Sequence, residues 1–377
     1  MDEFTLFALK AGQDQLYLTG KINDGNSPPP AAAEKICEAA ASVLNSSGMR
    51  ILSERVFGTL DFYESYKRTR GKHHKSDTAP FSYIEGTPVH GKGLSGIQIH
   101  AVKPDGDTTL QVLYDGNLPC GSAWKKKDKT YVHLAGVHGL QNGGRGRGDQ
   151  AAWMFEKMKR LLAARSIDFR NVVRTWIYME DILDWYDTFN AARTDRFRSF
   201  GLIPGSGSRL KEISPRLPAS TGIGGRNPAG AVCCGDVLAI SGSVKISILP
   251  ERFQPAAYSY GSAFSRGICI EEEGVRQIFV SGTAAIDTTG CSLYPENAEA
   301  QIIRTLEVIE ALIAVKGAKL EDIRSATVYL KKAKDLSIFE KVAERLGLQT
   351  LPVVCVVADI CRDELLFEME AIAVVDS

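Results

Sequence analysis

Glu368 and Glu370 sit two positions apart in an apolar, β-branched run near the C-terminus. A strand alternates its side chains, so both carboxyls lie on one sheet face. Two carboxylates on a partly buried face raise one pKa, which keeps an acid protonated near neutral pH. On an exposed edge the same pair is only solvated. Arg193 and Arg196 fall late in a helical stretch, and either guanidinium suits a carboxylate, although surface arginine is the ordinary reading of each. Tyr260, with Tyr258 as its alternative, and Arg266 lie in a long connection beside Ser262 and Ser265. Gly282, Thr283, Ala284 and Ala285 end a strand, where small residues let a ligand approach the backbone or simply let the strand exit. Cys361 reads equally well as a small buried hydrophobe.

The elements that would carry these residues recur. Residues 276–284 form a β-branched strand running into glycine. Ile302, Ile303, Leu306, Ile309, Leu312 and Ile313 then mark one buried helix face. A strand at 323–330, a helix at 335–346 and strands at 351–357 and 366–375 complete the order. The middle of the chain repeats it, with strands at 130–135, 172–179 and 237–240 and helices at 150–164 and 183–200. Leu217-Pro218 there matches Leu351-Pro352. A weaker copy opens the chain, with a helix at 31–44 and strands at 15–19, 51–60 and 96–102. Residues 103–129, with the run Lys125, Lys126 and Lys127, read as a polar linker ending in a solvated turn. Residues 249–274 form a connection long enough to suggest a functional loop.

The 377 residues carry no net charge, which gives no indication of a uniformly basic nucleic-acid surface. No apolar run reaches bilayer length, and no signal peptide is visible. The eight cysteines are scattered and form no disulfide framework, which suggests a cytoplasmic setting. Neither His73-His74 nor Cys233-Cys234 has metal-ligand spacing, and the GGRGRG stretch at 143–148 is not a dinucleotide fingerprint.

FVSGTA at 279–284, the helix that follows it and EMEAIAV at 368–374 resemble the YjgF-like Rid group of imine and enamine deaminases. RTWIY at 174–178, FNAART at 189–194, LPASTGIGG at 217–225, YSYGSAFSR at 258–266 and ADICR at 358–362 together resemble the chorismatases. The resemblance implies an α+β fold of tandem YjgF-like, chorismate-mutase-like units in a pseudo-trimer-like arrangement. The expected units are a degenerate one at 1–125, a second at 126–248, and a linker with a third at 249–377. It implies an enzyme that protonates the enol ether of chorismate and releases pyruvate. The other product is 3-hydroxybenzoate or a dihydroxycyclohexadiene carboxylate. Glu368 would be the acid and Cys361 would steer the product. Arg193, Tyr260, Arg266, Gly282, Thr283, Ala284 and Ala285 would hold the substrate. No cofactor, metal, nucleic acid or membrane is implied, and an internal pseudo-trimer would allow a monomer. Simpler deaminases resembling the third unit carry an arginine where Val353 stands here. Valine cannot bind a carboxylate, which weighs against plain imine deamination.

Overall fold

The computed structural model describes residues 3–23, 28–74, 79–104, 106, 108–140, 146–203, 216–250, 254–255 and 257–376, without the side chains of 259 and 260. Its β-branched runs form three mixed sheets, and each sheet is backed by two helices. The first unit contains β1 (Phe4–Ala11), β2 (Gln15–Ile22), α1 (Pro29–Ser47), β3 (Arg50–Gly58), α2 (Tyr63–His73), β4 (Ser82–Glu85), β5 (Thr87–Pro88) and β6 (Leu94–Val102). The second contains β7 (Thr108–Asp115), β8 (Leu118–Lys126), β9 (Lys129–His138), α3 (Arg147–Ala163), β10 (Val172–Met179), α4 (Ile182–Ser199), β11 (Ala219–Gly224) and β12 (Cys233–Ser241). The third contains β13 (Lys245–Ile248), β14 (Gly267–Glu272), β15 (Val275–Ala284), α5 (Ala298–Ala314), β16 (Ile323–Leu330), α6 (Leu336–Arg345), β17 (Val353–Val357) and β18 (Phe367–Asp376).

The same four-strand order runs through all three sheets: β2-β6-β3-β4, β9-β12-β10-β11 and β15-β18-β16-β17. The last pair in each is parallel, and the other neighbours are antiparallel. The fold is therefore α+β with a repeated sheet unit. β5 leaves the first unit and pairs antiparallel with β17 of the third.

The stretch read as a linker at 103–129 contains a hairpin. β7 and β8 pair from Thr108↔Lys126 to Asp115↔Leu118, around a two-residue turn in which Gly116 takes φ 62°. Half-buried alternation in β7 and an Asp-Gly turn were the available signals. The lysine run is not a simple solvated turn either. Lys126 is buried and reaches Asp14 at 2.6 Å and Glu273 at 2.9 Å.

Each helix pair covers one sheet face with an apolar core. On α5, Ile302, Leu306, Ile309, Leu312 and Ile313 are all buried, as their spacing requires. Each such side chain contributes roughly 1.5–3 kcal/mol. The opposite faces of the three sheets meet in a shared cluster that includes Phe57, Tyr178 and Tyr329. The Phe57 ring sits edge-on to both tyrosines, with centroids 6.2 and 6.5 Å apart. Around this centre β11 packs on β15, β17 on β2, and β4 on β9.

Candidate active site

A cavity of about 290 Å³ opens where β11 meets β15. Ser220 and Gly222 of β11, Gly282 and Ala284 of β15, and Glu368 of β18 line its base. The seam is tied by Ser220 N–H donating to Ser281 Oγ (2.9 Å) and Gly282 N–H donating to Thr221 Oγ1 (3.0 Å). Gly282 has a steric reason to be glycine. A Cβ at that position would lie 2.1 Å from Glu368 Oε1. The bare backbone makes the room in which the carboxyl sits.

Glu368 is 5% exposed. Desolvation first, and then the charge of Glu370, push its carboxyl up to about 8, against the opposing pull of Arg266 and Arg174. It is therefore an un-ionised acid at neutral pH, facing the cavity. Glu370 behaves oppositely. Burial disfavours its charge, but Arg55 and Arg174 outweigh burial and hold it below the usual carboxylate range. The alternation expected from the sequence thus puts the two carboxyls on one face in different protonation states.

Two arginines expected from the sequence reach the cavity. Arg193 lines it from α4, is 1% exposed, and donates from Nη2 to Asn190 Oδ1 at 2.6 Å. Its alternative, Arg196, lies one turn further on and pairs with Glu156 at 2.8 Å. Arg266 also lines the cavity and is anchored by Nε and Nη2 on the Pro255 carbonyl. The Phe264 ring lies 5.4 Å from both guanidinium carbons. Cys361 lines the cavity as a half-buried thiol, pushed up to about 12 by desolvation and then by Glu368. It remains S–H and is no nucleophile.

The four small residues divide. Gly282 and Ala284 face the cavity, whereas Thr283 and Ala285 are fully buried away from it, with Thr283 Oγ1 donating to the Ser281 carbonyl at 2.8 Å. Strand alternation produces that division. The Tyr260 side chain lies outside the described residues, as do residues 143–145 of the 143–148 stretch, whose remainder opens α3. Val353 is buried in the apolar core behind the third sheet.

One wall was not anticipated. Asp184, Trp185, Tyr186, Asp187, Thr188 and Asn190 line the cavity from the start of α4. Trp185 breaks the helix there (φ −148°, ψ 17°) and donates from Nε1 to the Glu180 carbonyl at 2.8 Å. No proline or glycine announces this kink, so periodicity passes over it. Arg362 and Leu365 also line the cavity, and Arg362 is anchored on the Gly290 carbonyl at 2.6 Å. Among the described residues no group of His, Cys, Asp and Glu is arranged to hold a metal ion, and no helix is long and apolar enough to cross a membrane.

Known proteins share this architecture. The Endoribonuclease L-PSP family profile matches residues 256–375. A RutC family protein of Pyrococcus abyssi is 34% identical over 97 residues, covering 26% of this chain and 76% of that protein. The chain thus belongs to the RutC family and has a YjgF/RidA-like fold. It is also homologous to proteins described as chorismatases. One from Streptomyces hygroscopicus is 26% identical over 342 residues, covering 82% of this chain and 93% of that protein. A chorismatase crystal structure superposes with a TM-score of 0.63 at 18% identity, covering 98% of this chain and all of that one. The homology is to enzymes of the chorismatase/RidA class.

Proposed function

We propose that the chain is a chorismatase, and that Glu368 donates a proton to the terminal methylene of the chorismate enol ether. The observation that carries this reading is an un-ionised, buried carboxyl facing a cavity with arginines on its walls. Carbon protonation is slow without a positioned acid. Arg193 and Arg266 grip the two carboxylates, and the shallow step of Gly282 and Ala284 lets the ring approach β15. Tyr260 assists from the connection before β14.

Protonation makes an oxocarbenium ion. Capture by water consumes one water and yields pyruvate and the dihydroxycyclohexadiene carboxylate. Capture by the neighbouring ring hydroxyl consumes none, and rearomatisation then gives 3-hydroxybenzoate and pyruvate. Cys361, a small neutral thiol beside the acid, biases this choice by excluding water.

The sheets are arranged as an internal pseudo-trimer. The cyclic packing of β11 on β15, β17 on β2 and β4 on β9 supports that reading, as does the aromatic trio at the centre. We divide the chain into a first unit, a second unit and a C-terminal unit carrying the acid. The pairing of β7 and β8 in the second sheet supports a first boundary before β7 rather than at 125. Such a chain acts as a monomer, and its unpaired thiols fit a cytoplasmic setting.

The test is to incubate the purified chain with chorismate and follow pyruvate, then resolve the aromatic product by chromatography. Pyruvate with either product supports the proposal. Its absence across pH 5–9, with ammonia released from an amino-acid-derived imine instead, would replace it with a Rid-type deaminase. Binding without turnover of either substrate would leave a ligand-binding protein.

A further inference from the structure

No described residue of the first unit lines the cavity, yet one of its side chains reaches the carboxylate on the same face as the acid. Arg55 of β3 donates from Nη1 to Glu370 Oε1 at 2.8 Å, and Thr327 of β16 donates to the same oxygen at 3.1 Å. Arg174 of β10 and Thr221 of β11 donate to Oε2 at 2.6 and 2.5 Å. An ionised carboxylate offers about four lone-pair sites. Four donors from three sheets crowd them here, the Thr327 hydroxyl sharing its single proton with Gln98 Oε1 at 3.2 Å, so a proton on Glu370 would have to displace one of them. Glu368, on the same face, accepts no hydrogen bond among the described residues. The link between the two is short. Thr221 Oγ1, which donates to Glu370, accepts from Gly282 N–H, and Gly282 is the residue that Glu368 Oε1 overlies.

We propose that Glu370 is a positioning residue: clamped as a permanent anion by Arg55 of the first unit and Arg174 of the second, it keeps Glu368 in the acid form. This rests on the reading of Glu368 as the proton donor. Desolvation is the first influence that disfavours charge on Glu368, and Arg266 and Arg174 pull the other way. The anion on Glu370 offsets them. Cys361 also faces Glu368, and it is neutral. Around Glu370 the other charged or titratable neighbours are the phenols of Tyr178 and Tyr329, both held neutral by burial, and Asp236 of β12. The first unit thus acts on the chemistry without touching the substrate.

Infrared difference spectra of the protonated-carboxyl band, taken through a pH titration of the full chain, test this without substrate. The wild-type band should persist beyond neutral pH and vanish in Glu368→Gln. In Glu370→Gln the Glu368 band should disappear at a pH lower by about one unit or more, while Glu370→Asp, which keeps the charge, should stay near wild type. Arg55→Met should raise the pH at which Glu370 itself takes up a proton. An unshifted Glu368 band in folded Glu370→Gln overturns the proposal. Should that variant not fold, the wild type decides. Two well-separated carboxyl steps support the clamp, and a single step in the ordinary glutamate range sinks it. Missing pyruvate release with the expected spectra would count against the chorismatase reading alone.

Discussion

The seam between β11 and β15 and the seam between β4 and β9 share a framework but not its contents. Register makes the correspondence explicit. Glu370 stands opposite Thr327 as Asp236 stands opposite Trp176, and Glu368 opposite Tyr329 as Cys234 opposite Tyr178. A hydroxyl donates across both seams: Thr221 to Glu370 and Ser82 to Asp236, each at 2.5 Å. The difference lies in what surrounds each carboxyl. Glu370 has two arginines and stays ionised. Asp236 has the Gly136 N–H at 2.8 Å but, among the described residues, no arginine bonded to it, and burial raises it to about 6. Where the first seam places a second carboxyl, the other places a thiol that is 3% exposed and pushed far up by desolvation. A repeated sheet supplies the hydroxyl and the buried acceptor, and at the first seam one register position gains a second carboxyl with open space in front of it.

Removing that second carboxyl is the strongest way to break the contrast. Glu368→Gln should lower pyruvate release by about 10²–10⁴-fold. The same substitution should stabilise the protein at alkaline pH. Folded Glu368 keeps its proton up to about 8, against an ordinary value of 4.5. Wild-type stability is therefore full below the ordinary value and falls as pH rises towards 8, on the order of a few kcal/mol. Gln removes that loss, so thermal melts at pH 9 should favour the variant and those at pH 4 should not. Equal differences at both would contradict the buried acid.

A smaller effect separates the two glycines at the seams. Gly282→Ala places a methyl on the Glu368 carboxyl and should cost about tenfold or more in kcat/KM. Gly136 takes φ 58°, so Gly136→Ala should cost roughly 1 kcal/mol of stability and leave pyruvate release unchanged. Paired melts and kinetics distinguish them, and a similar activity loss in both would erase the contrast. Asp236→Asn should be the mildest. Wild-type stability falls as pH rises from the ordinary 3.8 through about 6, and the variant should lack that slope while keeping its activity. Melts between pH 4 and 7 read it directly.

Much of this was legible in the chain. Period-2 alternation put Glu368 and Glu370 on one face, and helical spacing located the core of α5. The β7–β8 hairpin escaped because its outer face is polar and the lysines obscured the alternation. The wall at 184–190 escaped because Trp185 breaks its helix without a breaker residue. Arg55 carried no signal at all, since it lies 315 positions from the carboxylate it holds.

The sequence by itself determined the helices, most of the strands and their repetition, because those follow from periodicities a few residues long; β7, β8 and β14, the last inside the stretch read as a connection at 249–274, emerged only in the structure. It also determined that two carboxyls would share a face. Which of them keeps its proton was decided only when three sheets closed on one another. Charge on a buried group depends on every donor and cation within a few ångströms, and here those come from all three units.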